Sequence, residues 1–332
     1  MHLVSSTSVG GDRSSGAGPP AGGSAAPAAT GQSPSLRPSS NRIGERIILT
    51  VLFGAAVVSV LTTVAIVVSL VIPAISFFRE IPIVDFLTGT RWTPNFAVKD
   101  YGVLPLLVGT LWTTAIALVV AVPLGLGAAM LLSEYASDRA RRVLKPVLEV
   151  LAGVPSVVYG FFALQFIGPV LLGGLLGIEI GTFNVLQAGL VLGIMIIPTI
   201  ASLAEDAMSA VPSALRQGSA ALGANRMQTT LKVVVPAAIS GIIAAIVLGI
   251  SRAVGETMIL AIASGSIAQV ITDPRDAAQT MTGFIAQAAT GENAVGSLAY
   301  NTLYAVGLTL FLITLLVNVI SIRLVRRFRE AY

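Results

Sequence analysis

The chain has 332 residues, of which 55% are hydrophobic and only 11% are charged. Soluble domains contain about 25% charged residues, so this composition predicts an integral membrane protein. The chain has no cysteine and a single histidine, His2. This excludes disulfides, thiolate metal sites, a cysteine nucleophile and histidine clusters that could hold a metal or form a triad. The net charge of +4 is more typical of membrane topology than of nucleic-acid binding.

Residues 1–41 are rich in Gly, Ser, Pro and Ala and show no periodicity. Such a segment cannot bury enough apolar surface to order itself. The first apolar stretch begins near Ile47, too late for a secretory signal. We predict a disordered cytoplasmic tail, which is either dispensable or a site for a partner.

Six later segments have the apolar length that a membrane-spanning helix requires, about 20 residues. They are Ile47–Phe77, Leu104–Leu132, Val143–Leu172, Val185–Leu203, Val233–Ala263 and Leu303–Ile322. The predicted fold is therefore an all-α polytopic membrane protein with six transmembrane helices. We place the first helix and an external loop in 42–103, the remaining spans in 104–322, and a basic tail in 323–332.

Basic residues alternate between the connecting segments. They are concentrated before the first span, between the second and third, between the fourth and fifth, and after the sixth (Arg42, Arg46, Arg139, Arg141, Arg142, Lys145, Arg216, Arg226, Lys232, Arg323, Arg326, Arg327, Arg329). Because basic loops stay in the cytoplasm, this pattern places both termini there and segments 78–103, 173–184 and 264–302 outside.

The external segment 264–302 contains one helical pattern. Met281, Phe284, Ile285 and Ala288 follow i, i+3, i+4, i+7 spacing, which predicts a short amphipathic helix. Its apolar face would lie on the membrane or contact an external partner.

Residues 205–236 predict two short cytoplasmic helices joined by a glycine. Pro212 suits the first turn of a helix and Gly223 suits the position just after its end. Asn225 and Gln228 then have the spacing of a capping box for a second helix, which leads into the fifth span.

Two further groups of polar residues occur within or beside apolar segments. Ser156 and Tyr159, in AGVPSVVYGFF, either pack between helices or line a pathway. Glu149 follows Lys145 by four residues, so a pair at the cytoplasmic edge is its expected role, and gating is the alternative.

Arg252 and Glu256, in SRAVGETMIL, are opposite charges between apolar flanks. On one continuous helix they would face the same side, about 40° apart. Ionisable groups inside spans usually face a bundle interior or an aqueous cavity. A guanidinium suits an oxyanion, although a structural ion pair or a side chain reaching to the outer interface would also fit the pattern.

The loop resembles the permease subunits of type I ABC importers, whose signature is Glu-Ala-Ala, three residues, Gly, nine residues and Ile-x-Leu-Pro. Gln217, Gly223, Val233, Val235 and Pro236 occupy its positions, although Gln217 replaces the acidic residue. The resemblance implies the type I permease fold, with a permease domain in 104–322. It also implies that the loop couples to a separate ATPase. None of the three lysines lies in GxxxxGK[ST], so this chain has no P-loop of its own.

Three further motifs, PSVVYG, PTIASLAEDA and RAVGET, resemble the phosphate-specific permease family PstC. This resemblance implies a non-enzymatic transport subunit in a prokaryotic plasma membrane, without a cofactor of its own. The implied partners are a sister permease (PstA), a dimeric ATPase (PstB) that binds ATP and Mg, and an external phosphate-binding protein (PstS). It also implies a role for Arg252 and Glu256 in phosphate passage.

Other functions remain open at this point. A permease for another oxyanion, such as sulfate or molybdate, would share these features. A secondary transporter driven by an ion gradient would carry carboxylates or histidines in several spans, whereas this chain offers mainly Glu149 and Glu256. A scaffold or sensor that does not transport would have no need of charge at positions 252 and 256.

Overall fold

The structure is a computed structural model that describes residues 42–291 and 293–327. The predicted tail in 1–41 lies outside the described residues, as do the last five residues of the predicted basic tail. The chain divides into two units, which meet in sequence at Val58 and Ser59. The described part of the first unit is helical, with exposed side chains wherever these are described.

All the long elements of the described chain are helices. In chain order they are α1 (Arg42–Glu80), α2 (Ile83–Thr88), α3 (Leu104–Met130), α4 (Asp138–Ala152), α5 (Ser156–Phe162), α6 (Val185–Ser209), α7 (Ser213–Ala221), α8 (Arg226–Thr229), α9 (Val235–Ala237), α10 (Ile239–Gly255), α11 (Met258–Ala263), α12 (Met281–Thr290) and α13 (Leu298–Arg327). Wider π-helical turns continue α3 through Leu131–Tyr135 and α5 through Ala163–Leu175, and join α8 to α9 through Thr230–Val234.

Five described helices are long and apolar enough to cross a membrane: Gly44–Glu80, Leu104–Tyr135, Ser156–Leu175, Val185–Ser209 and Leu298–Arg323. A sixth candidate is the pair Arg226–Ala237 and Ile239–Gly255, which bends by 74° at its break. The predicted all-helical polytopic class is therefore confirmed, with five spans among the described residues, or six if the bent pair is one span.

Two of the predicted spans are interrupted in the structure. The segment Val143–Leu172 is interrupted, because α4 ends at Ala152 and α5 starts after Pro155. A proline disfavours helical geometry in the residue before it, and Gly153 ends α4. In the segment Val233–Ala263, the chain bends at Ala238 and breaks again after Gly255.

The centre of the second unit is the contact between α3 and α6, where glycines allow the backbones to approach closely. A Cβ added at Gly125 would lie 2.9 Å from the Ile200 side chain, and one at Gly193 would lie 2.8 Å from the Ala117 carbonyl oxygen. Neither distance leaves room for a methyl group, so these glycines set the spacing of the two helices.

A second core region joins the end of α1 to α12 through aromatic rings packed edge to face. The Phe77 ring centre lies 5.6 Å from that of Tyr101, and the Trp92 ring centre lies 4.9 Å from that of Phe284. The amphipathic helix predicted around Met281 is confirmed. Its apolar face is only partly covered: Met281 is fully buried and Phe284 is 6% exposed, whereas Ile285 and Ala288 are half-buried.

Candidate functional site

The predicted pair of charges lies at a break between two helices. Helix α10 ends at Gly255, and Glu256 has an extended backbone with φ −68° and ψ 132°. The Glu256 carboxylate accepts hydrogen bonds from the backbone N–H groups of Met258, at 3.1 Å, and Ile259, at 3.4 Å. It therefore satisfies free donors in the first turn of α11, as capping side chains do.

The expectation that Arg252 and Glu256 share one face of a continuous helix is wrong, because Glu256 has left the helix. Among the ion pairs of the described residues, none joins Arg252 to Glu256. Arg252 is exposed, in the last turn of α10. The structure thus separates the roles of the two residues: a capping carboxylate and an exposed guanidinium.

Helix α5 brings the other predicted site residues towards this break. It packs on α11, and a Cβ at Gly160 would lie 3.0 Å from the Ile262 side chain. Tyr159 is 9% exposed and donates its hydroxyl hydrogen to the Leu151 carbonyl, at 2.9 Å. Ser156 is half-buried at the start of α5.

Helix α12 is also attached to the break. The Thr282 hydroxyl donates to the Glu256 carbonyl, at 2.6 Å, and the Thr282 side chain is almost fully buried. The Met281 N–H donates to the Thr110 hydroxyl of α3, at 3.0 Å. Thr282 of α12 thus binds the backbone at the break, while the neighbouring Met281 fixes α12 to α3.

The loop between α6 and α10 has the predicted shape. Helix α7 follows Pro212, and Gly223 comes just after its end with φ +83°. Asn225 and Gln228 form the predicted capping box of α8, with hydrogen bonds of 2.8 and 3.0 Å. The predicted arrangement of two short helices joined by a glycine is thus confirmed.

Two signature residues of this loop, Gly223 and Val233, line a groove of about 610 Å³. Gln217 and Pro236 are exposed, whereas Val233 and Val235 are half-buried. Leu222, at the rim of the groove, is 90% exposed.

The strongest charge cluster was missed by the sequence analysis. Glu205, near the end of α6, is fully buried and forms ion pairs with Arg141 and with Lys145 of α4, the latter at 2.8 Å. Lys145 also pairs with Asp206, at 2.7 Å. Hydrogen bonds to Asp206 and Glu205 raise the pKa of the Lys145 ammonium, so it remains charged.

The predicted pairing of Lys145 with Glu149 is therefore wrong: Lys145 binds the acids of α6, and Glu149 is exposed. A usable signal was present in the sequence. Arg141 and Lys145 are four residues apart and so share one face of α4, where the adjacent acids Glu205 and Asp206 can meet them.

Residues 121–330 match the family described as "Binding-protein-dependent transport system inner membrane component". The chain belongs to this family of inner membrane permeases. The permease is 38% identical over 275 residues to the probable ABC transporter permease protein YqgH of Bacillus subtilis. The alignment covers 81% of this chain and 88% of the relative.

A second relative is the phosphate transport system permease protein PstC 1 of Mycobacterium tuberculosis. It is 36% identical over 277 residues, covering 73% of the permease and 81% of the relative. Among solved structures, a chain of a bacterial alginate ABC transporter aligns with a TM-score of 0.60 and 12% identity, over 85% of the permease and 96% of that chain. The structural likeness confirms the type I ABC importer permease fold.

Proposed function

We propose that this permease is the PstC-type subunit of an ATP-driven importer of inorganic phosphate. It forms half of the translocation pathway and carries out no covalent chemistry itself. The similarity to PstC permeases over about three quarters of the chain carries this proposal. The exposed guanidinium of Arg252 at the helix break adds a group suited to an oxyanion.

The proposed partners are a sister permease of the PstA type, a dimeric PstB-type ATPase and an external PstS-type phosphate-binding protein. ATP and Mg bind to the ATPase, because the permease sequence contains no P-loop. Closure of the ATPase dimer draws the coupling loops together and rocks the two permeases between inward-open and outward-open states. Because the external protein captures phosphate, the site within the membrane has no need of high affinity.

In the proposed orientation both termini and the loop 205–236 are cytoplasmic, and α12 is external. The distribution of basic residues supports this orientation. Gln217, Gly223, Val233, Val235 and Pro236 belong to the surface that the ATPase receives. Arg252 contacts phosphate in transit, Ser156 and Tyr159 flank the same pathway, and Glu256 positions the break.

The substrate is tested with the complete complex in liposomes that contain ATP. We expect uptake of radiolabelled phosphate that survives a large excess of sulfate or molybdate added with the external binding protein. Uptake of sulfate or molybdate in place of phosphate would contradict the proposed substrate and favour another oxyanion importer.

The role of Glu256 is tested by two substitutions. Glu256→Gln keeps an acceptor oxygen for the N–H groups of Met258 and Ile259, so we expect at least half of the uptake to remain. Glu256→Ala removes the cap, which costs about 0.5–2 kcal/mol, and uptake should fall several-fold. Equal loss of uptake in both variants would mean that the negative charge, rather than the cap, is required.

The turn at Gly223 is tested by co-purification with the ATPase. A Cβ at this position has no neighbour within 4 Å, so only the positive φ opposes a side chain. We expect Gly223→Val to weaken ATPase binding, because strain of about 1–3 kcal/mol distorts the turn. Gly223→Asn is the matched control, since Asn adopts this conformation more readily. Normal co-purification of the Val variant would refute this role for the turn.

A further inference from the structure

The π-helical turn that continues α3, Leu131–Tyr135, carries a carboxylate that is nearly buried. Glu134 is 8% exposed and pairs with Arg216 of α7, where the distance from Nη2 to Oε1 is 2.8 Å. The Nε group of Arg216 also donates to Oε1, at 3.1 Å. Because little solvent reaches Glu134, this pair is weakly screened.

The same guanidinium holds the end of α6. Its Nη1 group donates to the Val211 carbonyl, at 2.5 Å, and its Nη2 group donates to the Met208 carbonyl, at 2.8 Å. A guanidinium has five donors in a fixed plane, which permits this set of contacts. Arg216 therefore joins α7 to the ends of both α3 and α6.

The second half of the loop reaches the adjacent residue of α3. The Arg226 guanidinium lies 5.1 Å from the centre of the Tyr135 ring, within range of a cation–π interaction. The hydroxyl oxygens of Ser219 and Thr229, 2.9 Å apart, join the two halves of the loop. The neighbouring residues Glu134 and Tyr135 thus each contact an arginine, and the two arginines come from different halves of the loop.

Apolar packing supports these polar contacts. Leu215 of α7 and Val235 of α9 pack against a buried cluster that includes Ala129 of α3, and Met208 and Val211 at the end of α6. The loop is therefore seated on the same two helix ends that Arg216 binds. Movement of α7 as a rigid body would carry these helix ends with it.

We propose that the Arg216–Glu134 pair is the mechanical link that transmits movement of the loop 205–236 to α3 and α6. This inference rests on the proposed function, in which the ATPase moves the loop. Arg216 and Glu134 are positioning residues, because neither belongs to the surface that the ATPase receives or to the pathway at Arg252. Without the link, the loop still docks on the ATPase, but its displacement is no longer passed to the spans.

The test uses Arg216→Gln and Glu134→Gln in the complete complex in liposomes. Three quantities are measured: ATPase co-purification, ATP hydrolysis, and phosphate taken up per ATP hydrolysed. We expect co-purification and hydrolysis to continue while uptake per ATP falls at least tenfold. Arg142→Gln is the matched control, because Arg142 is exposed and, within the part of the chain that the structure describes, its side chain donates only to the Asp138 carbonyl of its own helix. That variant should keep the normal ratio.

A covalent replacement distinguishes a link from a general loss of structure. The chain contains no cysteine, so Arg216→Cys combined with Glu134→Cys gives one defined pair of thiols. A short bifunctional thiol reagent should restore at least half of the uptake per ATP, and the untreated double variant should stay uncoupled.

Three results would overturn the inference: an unchanged ratio in both single variants, loss of ATPase binding in place of coupling, or a cross-linked protein that stays uncoupled. Failure of the proposed function is recognised separately, because the unmodified complex would then show no ATP-dependent uptake of phosphate.

Discussion

Replacing Arg252 by Gln is expected to reduce phosphate uptake at least a hundredfold while leaving assembly with the partner subunits intact. Arg252 is exposed at the end of α10 and forms no ion pair among the described residues, so its guanidinium is available to an anion. Each hydrogen bond to a charged group is worth about 1.5–3 kcal/mol, and two such bonds account for a loss of this size.

Two control substitutions show whether uptake depends on the charge of Arg252, on the geometry of its donors, or simply on the loss of an arginine. Arg252→Lys keeps the charge but loses the planar fork of donors, so we expect an intermediate rate of uptake. Arg275→Gln removes an arginine that is already paired with Asp273 in an exposed loop, and uptake should remain near normal. Unchanged uptake in Arg252→Gln would reduce Arg252 to a structural or interfacial role.

Removing the Glu205 side chain should destabilise the permease more than any other change in its charge clusters. Glu205 is fully buried and accepts from Arg141, Lys145 and Ser209. Breaking a buried ion pair costs about 3–5 kcal/mol, and partial exposure of the two basic partners lowers the expected loss to about 2–3 kcal/mol.

The measurement is thermal unfolding in detergent, with tryptophan fluorescence as the signal. Glu205→Ala should lower the midpoint by many degrees. Asp206→Ala should have a small effect, because the Asp206 side chain is 58% exposed and such pairs contribute about 1 kcal/mol or less. Equal shifts for Glu205→Ala and Asp206→Ala would contradict the central role of the buried carboxylate.

Local chemistry made the loop predictable from sequence. Proline, glycine and a capping pair act within a few residues, so Pro212, Gly223 and Asn225 specify helix, turn and helix without help from the rest of the chain. The six apolar segments were predictable for a similar reason, since hydropathy is a property of the segment itself.

The helix breaks were harder to predict, because hydropathy continues across them. Between α4 and α5 the sequence stays apolar, and Pro155 marked the interruption more clearly than composition did. At Glu256 the local cap is joined by a contact from Thr282, 26 residues further along the chain. Likewise, the pairing of Glu205 with α4 depends on how α4 packs against α6, which is a tertiary property.

The most direct test of the central proposal is phosphate uptake by liposomes that contain this permease, a sister permease, the ATPase and the external binding protein. We predict uptake that requires ATP inside the liposomes and is lost when the ATPase is omitted. Equal uptake without ATP, or without the ATPase, would contradict the assignment as a subunit of an ATP-driven importer.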